Sequence, residues 1–165
     1  MAIIILDTET TDKDEGKRLI QLAYKNMETG EFVNEYFKPP MPISFGAMAV
    51  HHVTNEMVAD KKPFDESEHK ASVEELLKEN ILVAHNALFD IQVLKNEGLE
   101  IGEYLDTLRL ARHLIEGSEQ YSLQYLRYSL GLGVDASAHD ALGDVLVLEA
   151  LFEYLKKQAE EQFSL

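Results

Sequence analysis

The stretch Ile81-Leu82-Val83-Ala84-His85-Asn86-Ala87-Leu88-Phe89-Asp90, ILVAHNALFD, passes from four apolar residues straight into two polar ones and an acid. Its apolar half is short and free of turn residues, as in a strand buried on both faces. From Asn86 to Glu97 the apolar positions Leu88, Phe89, Ile91, Val93 and Leu94 fit a helix that Gly98 can end. A strand handing over to a helix is the unit from which helix-covered sheets are built. Asp90 falls early in that helix, where the dipole favours an acid. The stretch also reads without any chemistry, with Asn86 as N-cap and His85 as a satisfied histidine beneath the turn.

Outward from there, the chain supplies the rest of a sheet. Ala2–Leu6 is an aliphatic run ending in Asp7, the pattern of a central strand. LIQLAYKN and EFVNEYFK flank METG, whose Gly30 suits a hairpin turn, so they read as two antiparallel strands. PPMPISFGAM, with three Pro and one Gly, reads as a loop. Asp65 to Asn80 has a helical composition. YLDTLRLARHLI reads as a strand end and a helix capped by Asp106. YSLQYLRYSLGL is a further helix, capped by Ser122 and stopped by Gly131 or Gly133. DALGDVLVLEALFEYLKKQAEEQ is a long amphipathic helix with Lys156 and Lys157 near its end. The expected architecture is α/β: one mixed sheet with helices on its faces, in a single domain over residues 1–165.

Composition narrows the chemistry. There is no cysteine, which excludes disulfides and thiolate metal sites and suits a reducing compartment. The opening MAIIILDTET has no basic flank and too short an apolar run for a signal peptide or membrane span, so a cytoplasmic protein is expected. The net charge of −15 opposes non-specific grip on a polyanion, which relies on Lys and Arg against phosphates. It fits either a solvated acidic surface or acids gathered to hold cations.

Asp7 and Glu9 are two apart, so on an extended chain they point to the same side. Side by side they repel unless a cation or protons compensate. His139 and Asp144 form H-x-x-x-x-D at the start of the long helix, with His139 read in the preceding loop. Singly, each acid has a bland reading as a strand end or helix cap. Together, Asp7, Glu9, Asp90 and Asp144 sit at element ends of one α/β fold, where functional groups gather at strand carboxyl ends. Oxygen ligands without sulfur suit Mg²⁺ or Mn²⁺. Two such ions can clamp the attacking and leaving oxygens of a phosphoryl displacement. A neutral histidine beside them suits proton removal from water, its reference pKa of about 6.5 lying near working pH.

DTET, HNALFD and HDALGD, in this order, resemble the three motifs of the DnaQ-like (DEDDh) 3′–5′ exonucleases. ISFGAMAVHHVTNEMVAD is similar to a segment of the exonuclease X group, and LDTLRLAR and YSLQYLRYSLGL match further family patterns, so the resemblance spans nearly the whole chain. It implies an RNase H-like fold with a mixed five-stranded sheet whose second strand is antiparallel. It implies Mg²⁺ or Mn²⁺, two ions per site, held by Asp7, Glu9, Asp90 and Asp144, with Asp7 bridging and Asp90 supporting the second ion directly or through water. His139 would be the general base. Thr8 and Thr10 would meet the 3′-terminal nucleotide, Met48 and His52 would line its base pocket or wedge the next base, and Asn86 would orient the second motif's turn. Met48 also reads as plain core.

The expected reaction is release of nucleoside 5′-monophosphates from single-stranded 3′ ends, with DNA the expected substrate in repair or turnover and RNA the alternative. Lys13, Lys17, Arg18, Lys61, Lys62, Arg109 and Arg112 are the cations placed to help with phosphates. The competing classes are a non-catalytic nucleotide- or partner-binding module of the same fold and a proofreading subunit docked to a polymerase. The chain ends soon after its last helix, so a stand-alone enzyme without a polymerase partner is expected, a homodimer being left open. Two departures from the family pattern stand out: Asp12 where a Gly is common, and Gln21 where relatives place a supporting Glu. His51, His69 and His113 have no motif partner and are expected in surface or structural roles.

Overall fold

The computed structural model describes residues 1–134 and 139–163. Its sheet is built from β1 (Ile3–Thr10), β2 (Leu19–Asn26), β3 (Phe32–Tyr36), β4 (Ile81–Ala84) and β5 (Tyr104–Asp106) in the order β3-β2-β1-β4-β5. β2 runs antiparallel to β1 and β3, whereas β4 is parallel to β1 and β5 to β4. This is the mixed five-stranded sheet expected, with strand two reversed. The β2–β3 hairpin turns at Gly30, whose φ of 76° is the left-handed conformation that glycine adopts without strain.

β1 is central because both its faces are apolar. Ile4 and Leu6 point to one layer, packed with Val73 and Leu77 of α2 (His69–Glu79) and Leu94 of α3 (Ala87–Asn96). Ile5 points the other way, onto Val145 and Leu148 of α6 (Ala141–Phe163). All three β1 side chains are fully buried, and each such burial stabilises by roughly 1.5–3 kcal/mol. The alternation places Asp7 and Glu9 on the α6 side and Thr8 on the α3 side, beyond the last core residue. At Glu9/Thr10 the β1–β2 register shifts, a bulge of the kind that re-aims side chains at a strand end.

One expectation fails here. PPMPISFGAM is not wholly loop, because α1 (Phe45–His51) begins inside it. Ser44 caps that helix, its Oγ accepting from the Ala47 N–H at 3.1 Å. Ala47 and Met48 then pack against Ile20, Ile43, Val53 and Val58, and this contact stabilises a turn that the prolines before it disguised. Asp65–Asn80 divides into a 3₁₀ turn (Phe64–Glu66) and α2. α4 (Thr107–Leu114) is capped as expected, Asp106 accepting from the Leu108 N–H at 2.9 Å. α5 (Leu123–Ser129) packs Leu126 against Leu151 and Leu155 of α6. Ser122 occupies its N-cap position without a side-chain bond. None of the helices is long and apolar enough to cross a membrane among the described residues.

Candidate active site

Three carboxylates meet at the end of β1. Oxygens of Asp7, Glu9 and Asp144 all lie within 4.8 Å of one another. β1 brings the first two from the sheet, and the first turn of α6 brings the third from the layer above. Asp90 comes from the opposite layer on α3, buried, and accepts a hydrogen bond from the Thr8 hydroxyl at 2.7 Å. It stands outside the three-acid group but is the charge that acts most strongly on Asp7. The sequence-predicted acids are therefore drawn together from both faces of one sheet.

Their electrostatics follow from that crowding. Burial, and then the charges of Asp90, Glu9 and Asp144, hold the Asp7 carboxyl well above the usual carboxylate range. Glu9 is pushed up to about 8 by burial and by Asp144 and Asp90. Asp90 is raised to about 7 by burial, against the lowering bond from Thr8. Asp144 is raised by burial, opposed by its bond from Gln124 and by the charge and backbone N–H of His139. Four acids that resist ionising together are a set that a divalent cation would relieve. Their donor chemistry, oxygen without sulfur, fits Mg²⁺ or Mn²⁺.

His139 is exposed, with a φ of 56°, at the entrance to α6 beside Asp144. Gln21 occupies the position where a supporting acid was in question. Fully buried, it donates from Nε2 to Asp140 at 2.7 Å and to Asn34 at 2.9 Å, while its Oε1 accepts from the Ala141 N–H at 3.4 Å. The amide thus clamps the first residues of α6, a task a second carboxylate facing Asp140 would oppose.

A cavity of about 240 Å³ adjoins the acids, lined by Glu9, Thr10 and Lys13, by Gly46, Ala47, Val50 and His51 of α1, and by Phe89 of α3. It is apolar on its α1 wall and reaches a carboxylate at its other end. Met48 and His52 are not in this lining. Met48 turns to the core side of α1, and His52 is the exposed, left-handed residue closing that helix. His51, expected in a surface or structural role, is structural and buried. Its Nδ1 accepts from the Val53 N–H at 3.0 Å, so Nε2 carries the proton and donates to the Thr10 carbonyl at 3.2 Å. α1 is thereby tied to the end of β1. Only the placement of FGAMAVHH on a helix could have revealed this, and its proline-rich approach hid the helix.

The Thr8 and Thr10 side chains are turned inward, Thr8 to Asp90 and Thr10 to the Asp12 carbonyl at 2.6 Å. The Asn86 side chain is exposed and makes no cap bond. Its left-handed backbone, φ 65°, instead directs its N–H onto Asp106 at 3.0 Å. Asp106 thus holds two helix starts at once, a role beyond the single cap read from the sequence. His85 bonds Thr107 Oγ1 at 2.9 Å and the Tyr121 carbonyl at 2.8 Å, and burial lowers its pKa. It is a neutral structural histidine beneath the turn.

Two of the expected phosphate-binding cations are otherwise engaged. Lys17 is buried with its ammonium 4.4 Å from the centre of the Phe89 ring, and Arg18 grips Glu97 through two bonds of 2.8 Å. Lys13 stays exposed at the cavity.

Comparison with known proteins closes the identification. The exonuclease family model (RNase_T) matches residues 4–152. This chain belongs to the DnaQ-like exonuclease family. The DNA polymerase III subunit epsilon of Rickettsia prowazekii is 31% identical over 186 residues, which cover 98% of this chain and 77% of that protein. An epsilon-like protein of Rhodobacter capsulatus is 30% identical over 165 residues, which cover 92% of this chain but only 23% of that protein. Among solved structures, exonuclease X in complex with 5′ overhanging duplex DNA is 33% identical with a TM-score of 0.77, covering 95% of this chain and 92% of that one. The fold is the RNase H-like one, and the domain is an exonuclease. The expectation against a polymerase partner does not fit a relative that is itself a polymerase subunit. It rested on where the chain ends, and a docking surface needs no tail.

Proposed function

We propose that residues 1–165 act as one exonuclease domain that shortens nucleic acid from the 3′ end, one nucleoside 5′-monophosphate at a time, with two Mg²⁺ or Mn²⁺ ions per site. The observation that carries this is the meeting of Asp7, Glu9 and Asp144 within 4.8 Å, with Glu9 lining the adjoining cavity and the charge of Asp90 acting on Asp7. Asp7, Glu9 and Asp144 would hold one ion, and Asp7 with Asp90 the other. Bound there, the ions would supply charge neutralisation to both the attacking and the leaving oxygen of a phosphodiester.

The chain's own residues do the rest. His139, exposed at the entrance to α6, takes the proton from the attacking water. The α1 wall of the cavity receives the terminal base against Ala47 and Val50, beside Thr10. Lys13 meets the phosphate. Single-stranded DNA is the favoured substrate; that the nucleic acid is DNA is supported by a 33% identical relative solved with 5′ overhanging duplex DNA. Absence of cysteine supports a reducing, cytoplasmic setting.

Digestion of 5′- and 3′-labelled single-stranded DNA and RNA, with Mg²⁺, Mn²⁺ or chelator, tests the proposal. Loss of the 3′ label first, abolished by chelation, is expected. Activity that survives full chelation, or loss of the 5′ label first, overturns it. A proofreading role beside a polymerase is the second reading, favoured by the epsilon subunit matched along 98% of this chain. Capture of a polymerase catalytic subunit from the native host decides for it.

A further inference from the structure

Asp144 does not approach the other acids unaided. Gln124 of α5, half-buried, donates from Nε2 to its Oδ1 at 2.5 Å. The other end of the same amide, Oε1, accepts from Arg127 Nη1 at 3.2 Å. Arg127 is itself buried, and its second guanidinium nitrogen donates to the Val134 carbonyl at 2.5 Å, on the segment that leads toward His139.

The chemistry fixes the direction of this chain. A guanidinium has only donors, so the amide oxygen must face Arg127 and the NH₂ must face Asp144. The reversed amide would set an oxygen against a carboxylate and an NH₂ against a guanidinium, losing both bonds. Gln124 is therefore oriented by Arg127 and presents a donor that holds the carboxylate in one rotamer. Because the donor is neutral, it leaves the charge of Asp144 uncancelled, where a direct arginine pair would compete with a cation for it. The packing of Leu126 on Leu151 and Leu155 keeps the two helices in register for the contact.

We propose that Gln124 is a positioning residue for the cation site, set by Arg127 and acting through Asp144. The inference rests on the reading of Asp7, Glu9 and Asp144 as cation ligands. Partners that orient metal ligands are commonly worth 10–100-fold in metal affinity.

The test uses Mn²⁺ alone, titrated into metal-free full-length protein and followed by the electron paramagnetic resonance signal of free Mn²⁺. Gln124→Met keeps the length and removes the bonds, and Gln124→Asn keeps the amide but cannot span from Asp144 to Arg127. In both variants the Mn²⁺ dissociation constant is expected to rise about 10–100-fold. A purely structural glutamine would lower the melting temperature in chelator and leave the Mn²⁺ affinity of the folded protein unmoved. Affinity within twofold of wild type in either folded variant overturns the inference while leaving the cation reading intact. A wild-type protein that binds no Mn²⁺ overturns both.

Discussion

Replacing Glu9 with glutamine should stabilise the metal-free protein, and the size of the gain should depend on pH. Burial and the neighbouring Asp144 and Asp90 push the Glu9 carboxyl up to about 8 from an ordinary 4.5. A folded-state value above the unfolded one means that the folded protein holds this proton more tightly. The cost of ionising Glu9 is therefore absent below pH 4.5, grows as pH rises through the window to about 8, and is constant above it. At pH 7 the window spans about 2.5 units, a ceiling of about 3 kcal/mol at 1.36 kcal/mol per unit. Glu9 keeps some surface, so solvent screening brings the working expectation to about 2 kcal/mol. For a chain of this size that is a rise of about 4–8 °C in melting temperature. Thermal melts of wild type and Glu9→Gln in chelator, at pH 4.5 and pH 7, measure it by circular dichroism. The two proteins should melt together at the lower pH and separate at the higher, with the variant above. Millimolar Mn²⁺ should narrow or reverse the gap, because the wild type binds the ligand better. A variant that melts at or below wild type at pH 7 in chelator, or a gap independent of pH, refutes the reasoning.

His139→Ala is expected to lower kcat by about 10²–10⁴-fold on labelled oligonucleotide while Mn²⁺ binding persists; loss of Mn²⁺ binding would make His139 a ligand instead. Asp106→Ala removes the α4 cap and the partner of the Asn86 N–H, and should cost about 1–3 kcal/mol in urea denaturation. A cost under about 0.5 kcal/mol contradicts the double anchoring. Ala47→Phe places a ring in the cavity beside Glu9 and should raise KM for single-stranded DNA about tenfold or more with Mn²⁺ affinity unchanged. An unaltered KM would put the terminal base elsewhere.

The sheet was legible because its strongest signals are local. Ile4, Ile5 and Leu6 have no polar partner to offer solvent, and Gly30 marks the hairpin turn with its positive φ. The same holds for the four acids: Asp7 and Glu9 follow the apolar run of β1, Asp90 follows that of β4, and Asp144 opens the apolar stretch of α6. What escaped was decided by contacts between distant segments. α1 takes its support from Ile20, Val53 and Val58, so a proline count could not reveal it. Lys17 looks like a surface cation in sequence, yet the loop folds it over Phe89. The cavity is a property of α1, α3 and β1 together, which is why its lining includes Ala47, Val50 and His51, residues with no signature of their own. Gln21 and Gln124 are plain amides in sequence, and only the packing of α6 gives them partners.

The placement of Asp144 on the last helix has a consequence for how the protein comes into being. Synthesis delivers β1, with Asp7 and Glu9, first, then Asp90 on α3, and α6 only after the whole sheet has been made. Domains gain structure from the amino terminus as they leave the ribosome. A nascent chain can thus complete its sheet, its cavity and its Asp7–Asp90 pair while still lacking the third carboxylate and His139. The acid cluster is complete only once α6 has been made and Val145 and Leu148 seat it against Ile5. The same hydrophobic contacts that finish the core against β1 therefore also carry Asp144 to Asp7 and Glu9, so packing of this helix and assembly of the acid cluster are one event.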